Sequence, residues 1–596
     1  MQKACHPGQA ELVSAPSKDS HHAFRQTPVG NPLMKRLALF LLALFFGCFL
    51  VYPLLGLLGN AFFVIDAAGH RHFTLSFFAL LAENHLYRSS FANSFEIAVL
   101  ATFLTAVVSI PLALPFTRAR FPGCDLLRPV LLAPLILPPF VGALGIKHLF
   151  ARFGTLNLLL DHLGIVPLRH PIDWLGASGF TGIVILEVLH LFPILVLSTG
   201  AALAGIDSSL LEAAANLGAS PWRRFWTITL PLARPGVFAG ACLVFIGAFT
   251  DLGTPLIFNY SVTVPTQIFN ASVDPNNEQV GNAFVVATLV LVFVFFVIVR
   301  RLGQGEVVSA RTGAPADVPL LRGARGWLAT LAVNAWLFIA ILPHLGVMLS
   351  SFADRWFFTM LPSHYSTEFY HEVFTDPLTA GAVTNSLLYS GLSAVLDLVL
   401  GVAIAHLLTR TEFRGKALLD GMAMLPLALP GLVLAFALLE TYNLSGWWSW
   451  INPRNNPVFL LVVSYALRRL PYMVRAAHAG YQQSSVALEE ASFNLGAGRW
   501  RTFSRVTLPL VAPSLLAGLV LTFCFAMLEV SDSLILAMEA RFAPITRAIY
   551  EVTGRPSPDS AGLACALGVL AMGLLGAGLV IGSRLMGRRF GSFFRA

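Results

Sequence analysis

Apolar stretches of about 20 residues, separated by short polar loops, recur along almost the whole chain, and no soluble fold can bury that many. A bilayer core about 30 Å thick is crossed by about 20 apolar residues in an α-helix. Twelve stretches qualify, at roughly 36–58, 92–116, 127–150, 180–203, 236–258, 281–300, 327–351, 384–408, 418–440, 457–479, 513–537 and 561–582. Apolar residues fill 56% of the 596 positions and charged residues only 12%, too few to coat a soluble chain of this length. The expectation is an all-α polytopic membrane protein with about 12 transmembrane helices. The third, fourth, ninth and tenth are interrupted by proline (Pro134, Pro138, Pro193, Pro426, Pro430, Pro471), tolerable where neighbours satisfy the freed carbonyls.

The formal charge is +8, which in a soluble chain would suggest nucleic acid. Here the basic residues sit between apolar runs, so they are assigned to topology and no nucleic-acid partner is expected. Lys35–Arg36, Arg118, Arg120, Arg128, Arg223, Arg224, Arg234, Arg300, Arg301, Arg410, Arg414, Lys416, Arg499, Arg501, Arg505, Arg584, Arg588, Arg589 and Arg595 all fall on one side of a twelve-span chain. That side is cytoplasmic by the positive-inside rule, and both termini lie there. The intervening loops are mixed or acidic, as at Asp274 and Glu278. Six cysteines form no CxxC pair or regular spacing, so neither a disulfide framework nor a zinc site is expected. Residues 1–34, rich in His, Ser and Pro, read as a disordered cytoplasmic tail in which His6, His21 and His22 are solvated rather than metal-binding.

The chain repeats itself. Asn93–Ser94, Thr117–Arg118, Phe121, Gly123, Pro134 and Pro138 recur 292 residues later, from Asn385 to Pro430. Further along, residues 212–240 match 490–518 at an offset of 278, with sixteen of twenty-nine positions identical. The 14 residues lost fall in a loop after the third span of each half, where deletions are tolerated. Six spans per half make two parallel pseudo-repeats, a common transporter plan with the path between the halves. The divisions are a first domain at 35–302, a cytoplasmic linker at 303–325, a second domain at 326–585 and a basic terminus at 586–596.

The strongest identity lies outside the spans. The first copy is Glu212, Ala213, Ala214, Gly218, Ile228, Leu230, Pro231 within 207–231; the second is Glu490, Ala491, Ser492, Gly496, Val506, Leu508, Pro509 within 485–509. Each begins near Ser, runs through helix formers with a small Ala face and stops at Gly: a short N-capped helix with a glycine stop. A short basic helix then leads to Leu-Pro and the next span. A helix with a small face at a membrane surface suits another protein's groove. Anchoring to headgroups through Trp222 and Trp500 would not require matched Glu, Gly and Leu-Pro spacing in both copies.

This spacing resembles the EAA loop of binding-protein-dependent ABC importer permeases, with Ser492 and Val506 as the departures. The resemblance covers roughly 90–300 and 380–585. It implies a type I importer permease fold in a bacterial inner membrane. It further implies that Glu212, Ala213, Ala214, Gly218, Leu230, Pro231, Glu490, Ala491, Gly496, Leu508 and Pro509 couple to two copies of a P-loop ATPase. A periplasmic substrate-binding protein would deliver the cargo. The chain has no GxxxxGK[ST] loop, so it is not an enzyme and binds no cofactor; ATP and Mg²⁺ belong to the partner.

Ionisable groups inside spans are costly and point to function. Asp251 and Glu529 are related by the 278-residue offset, and Asp532 follows. They are candidates for a substrate path, and an acidic ring would suit a cation; carboxylates serving only as local polar contacts are the other reading. Arg468 and Arg469 near mid-span could attract an anion or pair with those acids. Glu187 and His190 lack a carboxylate or His counterpart in the second half, and His190 reads as a packed polar contact. No metal site is defined. Two fused domains with both loops intact look most like ferric-iron importer permeases, while thiamine and 2-aminoethylphosphonate permeases share the build. An ion-coupled secondary transporter is the alternative from another class. The halves are expected to be functionally unequal, since only the first keeps the full loop pattern.

Overall fold

The computed structural model describes residues 32–65, 70–176, 179–274, 277–303, 321, 323–354, 356 and 358–586. The expectations for 1–31 of the tail, 304–320 of the linker and 587–596 of the terminus lie outside the described residues. Helix bounds repeat with the sequence offsets: His85–Arg118 answers Pro377–Arg410, each of 34 residues. Phe180–Ala204 answers Val458–Gln483, and the surface helix Ser208–Asn216 answers Val486–Asn494. The parallel repeat is therefore structural.

Among the described residues, nine helices are long and apolar enough to cross a membrane singly. The third and ninth expected spans are instead bent pairs. Cys124–Leu135 meets Pro139–Leu149 at 90°, and Lys416–Ala428 meets Gly431–Thr441 at 103°. The cause is local. A residue before proline is pushed out of the helical region, and Leu137–Pro138 and Leu429–Pro430 are both extended, with ψ of 136°, 122°, 129° and 136° in turn. Two extended residues turn the chain aside. Pro193 and Pro471, by contrast, sit within unbroken helices. The tenth expected span, Val458–Gln483, has 26 residues, but every 18-residue window contains Arg468, Arg469 and Arg475, so it is less apolar than the rest.

Proline shapes the loops as well. It cannot donate a backbone hydrogen bond, and its ring crowds the carbonyl four residues back. Ahead of Pro53, Pro231 and Pro509 the helix widens into π turns at Gly47–Val51, Phe225–Thr229 and Phe503–Thr507. There Leu230 N–H reaches Phe225 O, and Leu508 N–H reaches Phe503 O. The short basic helix after each surface helix thus runs through a wide turn into the fifth or eleventh span, and Leu-Pro is what forces the widening.

The halves interlock. The first span, Leu33–Phe62, packs on Gly431–Thr441 of the second half, with Tyr442 Oη donating to Cys48 O at 2.9 Å. The seventh, Ala324–Phe352, packs on Pro139–Leu149 of the first. Both large apolar clusters draw on both halves. Outward-facing side chains such as Phe103, Phe293, Leu331 and Val399 stay exposed and apolar, the surface a bilayer covers. The crossing between the halves is close enough that a Cβ on Gly145 would overlap the Pro343 carbonyl. Gly145→Ala is therefore expected to destabilise by about 1–3 kcal/mol. Gly391→Ala, which faces open space, should be neutral or stabilising by up to about 1 kcal/mol. Thermal unfolding of the purified variants measures both.

Candidate functional site: paired surface helices and a buried charge cluster

The first surface helix starts at Asp207, whose carboxylate accepts from Ser209 N–H at 2.9 Å, so the cap is Asp207 rather than the expected Ser. That hydrogen bond lowers the pKa of the carboxyl. The second starts at Ser485 with no side-chain cap. Both end as expected, with Gly218 and Gly496 at φ +80°. Ala219 N–H reaches Ala214 O and Ala497 N–H reaches Ser492 O, at 2.9 and 3.1 Å, the bond that closes a left-handed helix end. Glu212, Ala213, Glu490 and Ala491 are exposed; Ala214 and Ser492 are half-buried. Ser492 Oγ bonds Thr502 Oγ1 at 2.9 Å, so the departure from Ala serves the next short helix.

Sequence reasoning passed over Leu217 and Leu495, which cap these helices and are each 88% exposed. The signal was available: both precede the stop glycine within the most similar stretch. With Trp222 and Trp500, 71% and 77% exposed, they give each loop an uncovered apolar knob beside a small-residue face.

Within the bundle, the fifth and eleventh spans break midway. Leu230–Thr250 gives way to Gly253–Ile257, and Leu508–Met527 to Ser531–Leu536. The two breaks adjoin: a Cβ on Gly253 would lie 3.0 Å from Val530 Cγ1. Asp251 Oδ2 accepts from Thr254 N–H at 2.9 Å, capping the helix after the break. Glu529 stands at the same place, three residues before Asp532.

The second half adds counter-charge. Glu529 is paired with both Arg468 and Arg469, Arg468 also lies 3.6 Å from Asp532 Oδ1, and Ser464 Oγ donates to Asp532 Oδ2 at 2.7 Å. The pairing considered at the sequence level is thus formed, and these acids do not stand as a free acidic ring. Arg475 pairs instead with Asp420 at 3.3 Å. In the first half, Glu187 lies buried beside Asp251 and Thr254, and its Oε1 has no hydrogen-bond partner among the described residues. His190 Nδ1 bonds Pro134 O at 2.8 Å at the bent third span, a packed polar contact as read. His344 of the seventh span lies beside His190. Asp397, fully buried in the eighth span near Arg469, has no hydrogen-bond partner for either oxygen among the described residues. Neither Asp397 nor His344 was singled out in the sequence, although the search for ionisable groups in spans that found Asp251 would have reached both. Among the described residues no group of three or more His, Cys, Asp or Glu is placed to hold a metal ion.

Two six-span halves in parallel, each carrying one glycine-stopped surface helix before its fifth span, define the membrane permease class of transporter. The chain belongs to the family of binding-protein-dependent transport system inner membrane components, whose profile matches twice, at residues 98–306 and 397–589. It is 27% identical over 512 residues to a putative ferric transport system permease of Haemophilus influenzae, covering 82% of this chain and 76% of that one. It is also 27% identical over 508 residues to the ferric transport system permease of Actinobacillus pleuropneumoniae, covering 82% and 70%. A molybdenum transport system permease of Mycobacterium bovis is 33% identical over 227 residues, 37% of this chain and 80% of that protein.

Glu529 neutralises two arginines in a buried site, where removing one member of a pair costs about 3–5 kcal/mol. Glu529→Gln should lower the thermal stability of the purified protein by that order. Asp251→Asn, which retains an acceptor for Thr254 and strands no cation, should cost less than half as much in the same assay.

Proposed function

We propose that this chain is the membrane subunit of an ATP-driven importer that moves ferric iron from periplasm to cytoplasm by alternating access. The observation that carries the cargo is continuity: the ferric permeases match across both halves, whereas the molybdenum permease matches one. Family membership supports a transporter served by a binding protein, and gives no support to a secondary transporter driven by an ion gradient. Neither thiamine nor 2-aminoethylphosphonate is named among the relatives described.

The two surface helices receive two copies of a P-loop ATPase, which carries ATP and Mg²⁺. Exposed Glu212, Ala213, Glu490 and Ala491 form the faces that enter its cleft, Gly218 and Gly496 end them, and Leu217 and Leu495 are the apolar anchors. The Leu230–Pro231 and Leu508–Pro509 turns pass the movement into the fifth and eleventh spans. Arg223, Arg224, Arg499 and Arg501 beside the surface helices support a cytoplasmic placement for this face. Both termini would then be cytoplasmic, in a bacterial inner membrane, with the periplasmic binding protein on the opposite face.

Asp251, Glu529, Asp532, Arg468 and Arg469 border the path. With Glu529 and Asp532 paired, Asp251 and Glu187 of the first half are left outside ion pairs as oxygen ligands of the kind a hard cation takes, as is the fully buried Asp397 of the second. Uptake of labelled ferric iron by proteoliposomes holding permease, ATPase and loaded binding protein tests the reading. Glu212→Ala with Glu490→Ala should abolish uptake while the permease stays folded; transport that persists without an ATPase would overturn it. Gly218→Asp and Gly496→Asp each place a side chain at φ +80° and should reduce uptake at least about tenfold, to unequal extents.

A further inference from the structure

Each surface helix is fastened at its root by an arginine from a distant span. Arg118, the last residue of the second span, donates to Leu203 O at 2.8 Å and Ile206 O at 3.5 Å. Arg410, the last residue of the eighth, donates to Tyr481 O at 3.2 Å and Ser484 O at 3.1 Å. The donors are related by the 292-residue offset and both pairs of acceptors by the 278-residue offset, so one contact is built twice. Its chemistry is that of a helix C-terminus. Carbonyls in the last turn of the fourth and tenth spans, beyond the reach of the regular helical ladder, accept from a cation, which also grips the stem that leads into the surface helix.

The copies then diverge. Arg410 also donates to Ser484 Oγ at 2.7 Å and, through Nε, to Glu489 Oε1 at 3.1 Å, with both side chains of that pair about 95% buried. Glu489 lies within the second surface helix, so Arg410 holds the helix itself as well as its stem. At the equivalent place in the first copy stands Leu211, and Arg118 Nε has no partner among the described residues. The first surface helix is tied instead by Arg224, which donates to Leu211 O at 3.2 Å from the short helix that follows it. That contact joins two loop elements to one another and not to the bundle.

We infer that Arg118 and Arg410 are positioning residues that transmit movement of the surface helices to the transmembrane bundle, and that the Arg410–Glu489 pair makes the second helix a stiff lever and leaves the first a compliant one. The transmission part rests on the docking reading above; the difference in stiffness is a property of the chain alone.

Amide hydrogen exchange on the full chain in lipid nanodiscs tests the stiffness directly. Peptides covering 486–494 should exchange at least about fivefold more slowly than those covering 208–216. Glu489→Leu, which installs the residue of the first copy, should remove that difference without changing exchange in the spans. Leu211→Glu, which offers a partner to Arg118 Nε, should slow the first helix and guards against a result that reflects misfolding. Equal exchange of the two helices in the unaltered chain, or variants that leave both helices unchanged, would overturn the inference. With ATPase and loaded binding protein reconstituted, Glu489→Leu should lower the iron moved per ATP hydrolysed at least threefold while the ATPase is retained. Retention with an unchanged ratio would overturn the transmission role. An unaltered chain that fails to retain the ATPase would overturn the docking reading and the transmission role with it, leaving the exchange difference standing.

Discussion

Inside a bilayer the backbone has no water to bond, so a helix may break only where something else satisfies the groups it frees. Four breaks in this chain lie within spans, and each has a polar side chain at hand. His190 bonds the Pro134 carbonyl beside the bend at Pro138. Arg468, its counterpart in the repeat, lies so close to the other bend that a Cβ on Gly431 would overlap the guanidinium. Asp251 caps the short helix that follows its break, and Glu529, held by Arg468 and Arg469, stands at the other. The residues that look most like a transport site are thus the ones that allow the helices to break, and the breaks bring Gly253 and Val530 together between the halves. The buried charges and the architecture are one set of side chains.

Much of this was legible in the sequence, for identifiable reasons. The spans follow from hydropathy, the two halves from matched residues at fixed offsets, and the stop glycines from a conformation that side chains avoid. What hydropathy cannot carry is direction. The run at 127–150 is apolar from Pro129 to Ile146, yet Leu137 and Pro138 turn it by 90°. Nor does spacing along one chain reveal partners supplied by another span, so the pairing of Arg468 and Arg469 with Glu529 stood as one possibility among others. Asp397 and His344 are single ionisable residues in otherwise apolar runs, and no motif or matched spacing marks them. Asp397 answers Thr105, and the added carboxylate belongs to the second half alone.

The repeat was copied as a frame and then altered at the points where charge matters. His190 became Arg468, Leu191 became Arg469, Thr254 became Asp532 and Leu211 became Glu489. Each exchange adds a formal charge that is ion-paired within the second half. Among the described residues the second half pairs Glu489, Glu529 and Asp532 with arginines and leaves Asp397 unpaired, while Glu187 and Asp251 of the first half enter no ion pair. The two halves thus face each other with different arrangements of charge.

The crossed packing of the first span also sets an order of events. Lys35 reaches the Glu412 carbonyl 377 residues away, and Asn60 reaches Glu440 across 380. At a synthesis rate of about 5–20 residues per second, roughly 20–80 s separate the emergence of that span from that of its partners. During this interval its packing against Glu278–Gly303 of its own half can form, while the contact of Asn60 with Glu440 cannot. This span is therefore seated in two stages, and the second waits for the other half to be made.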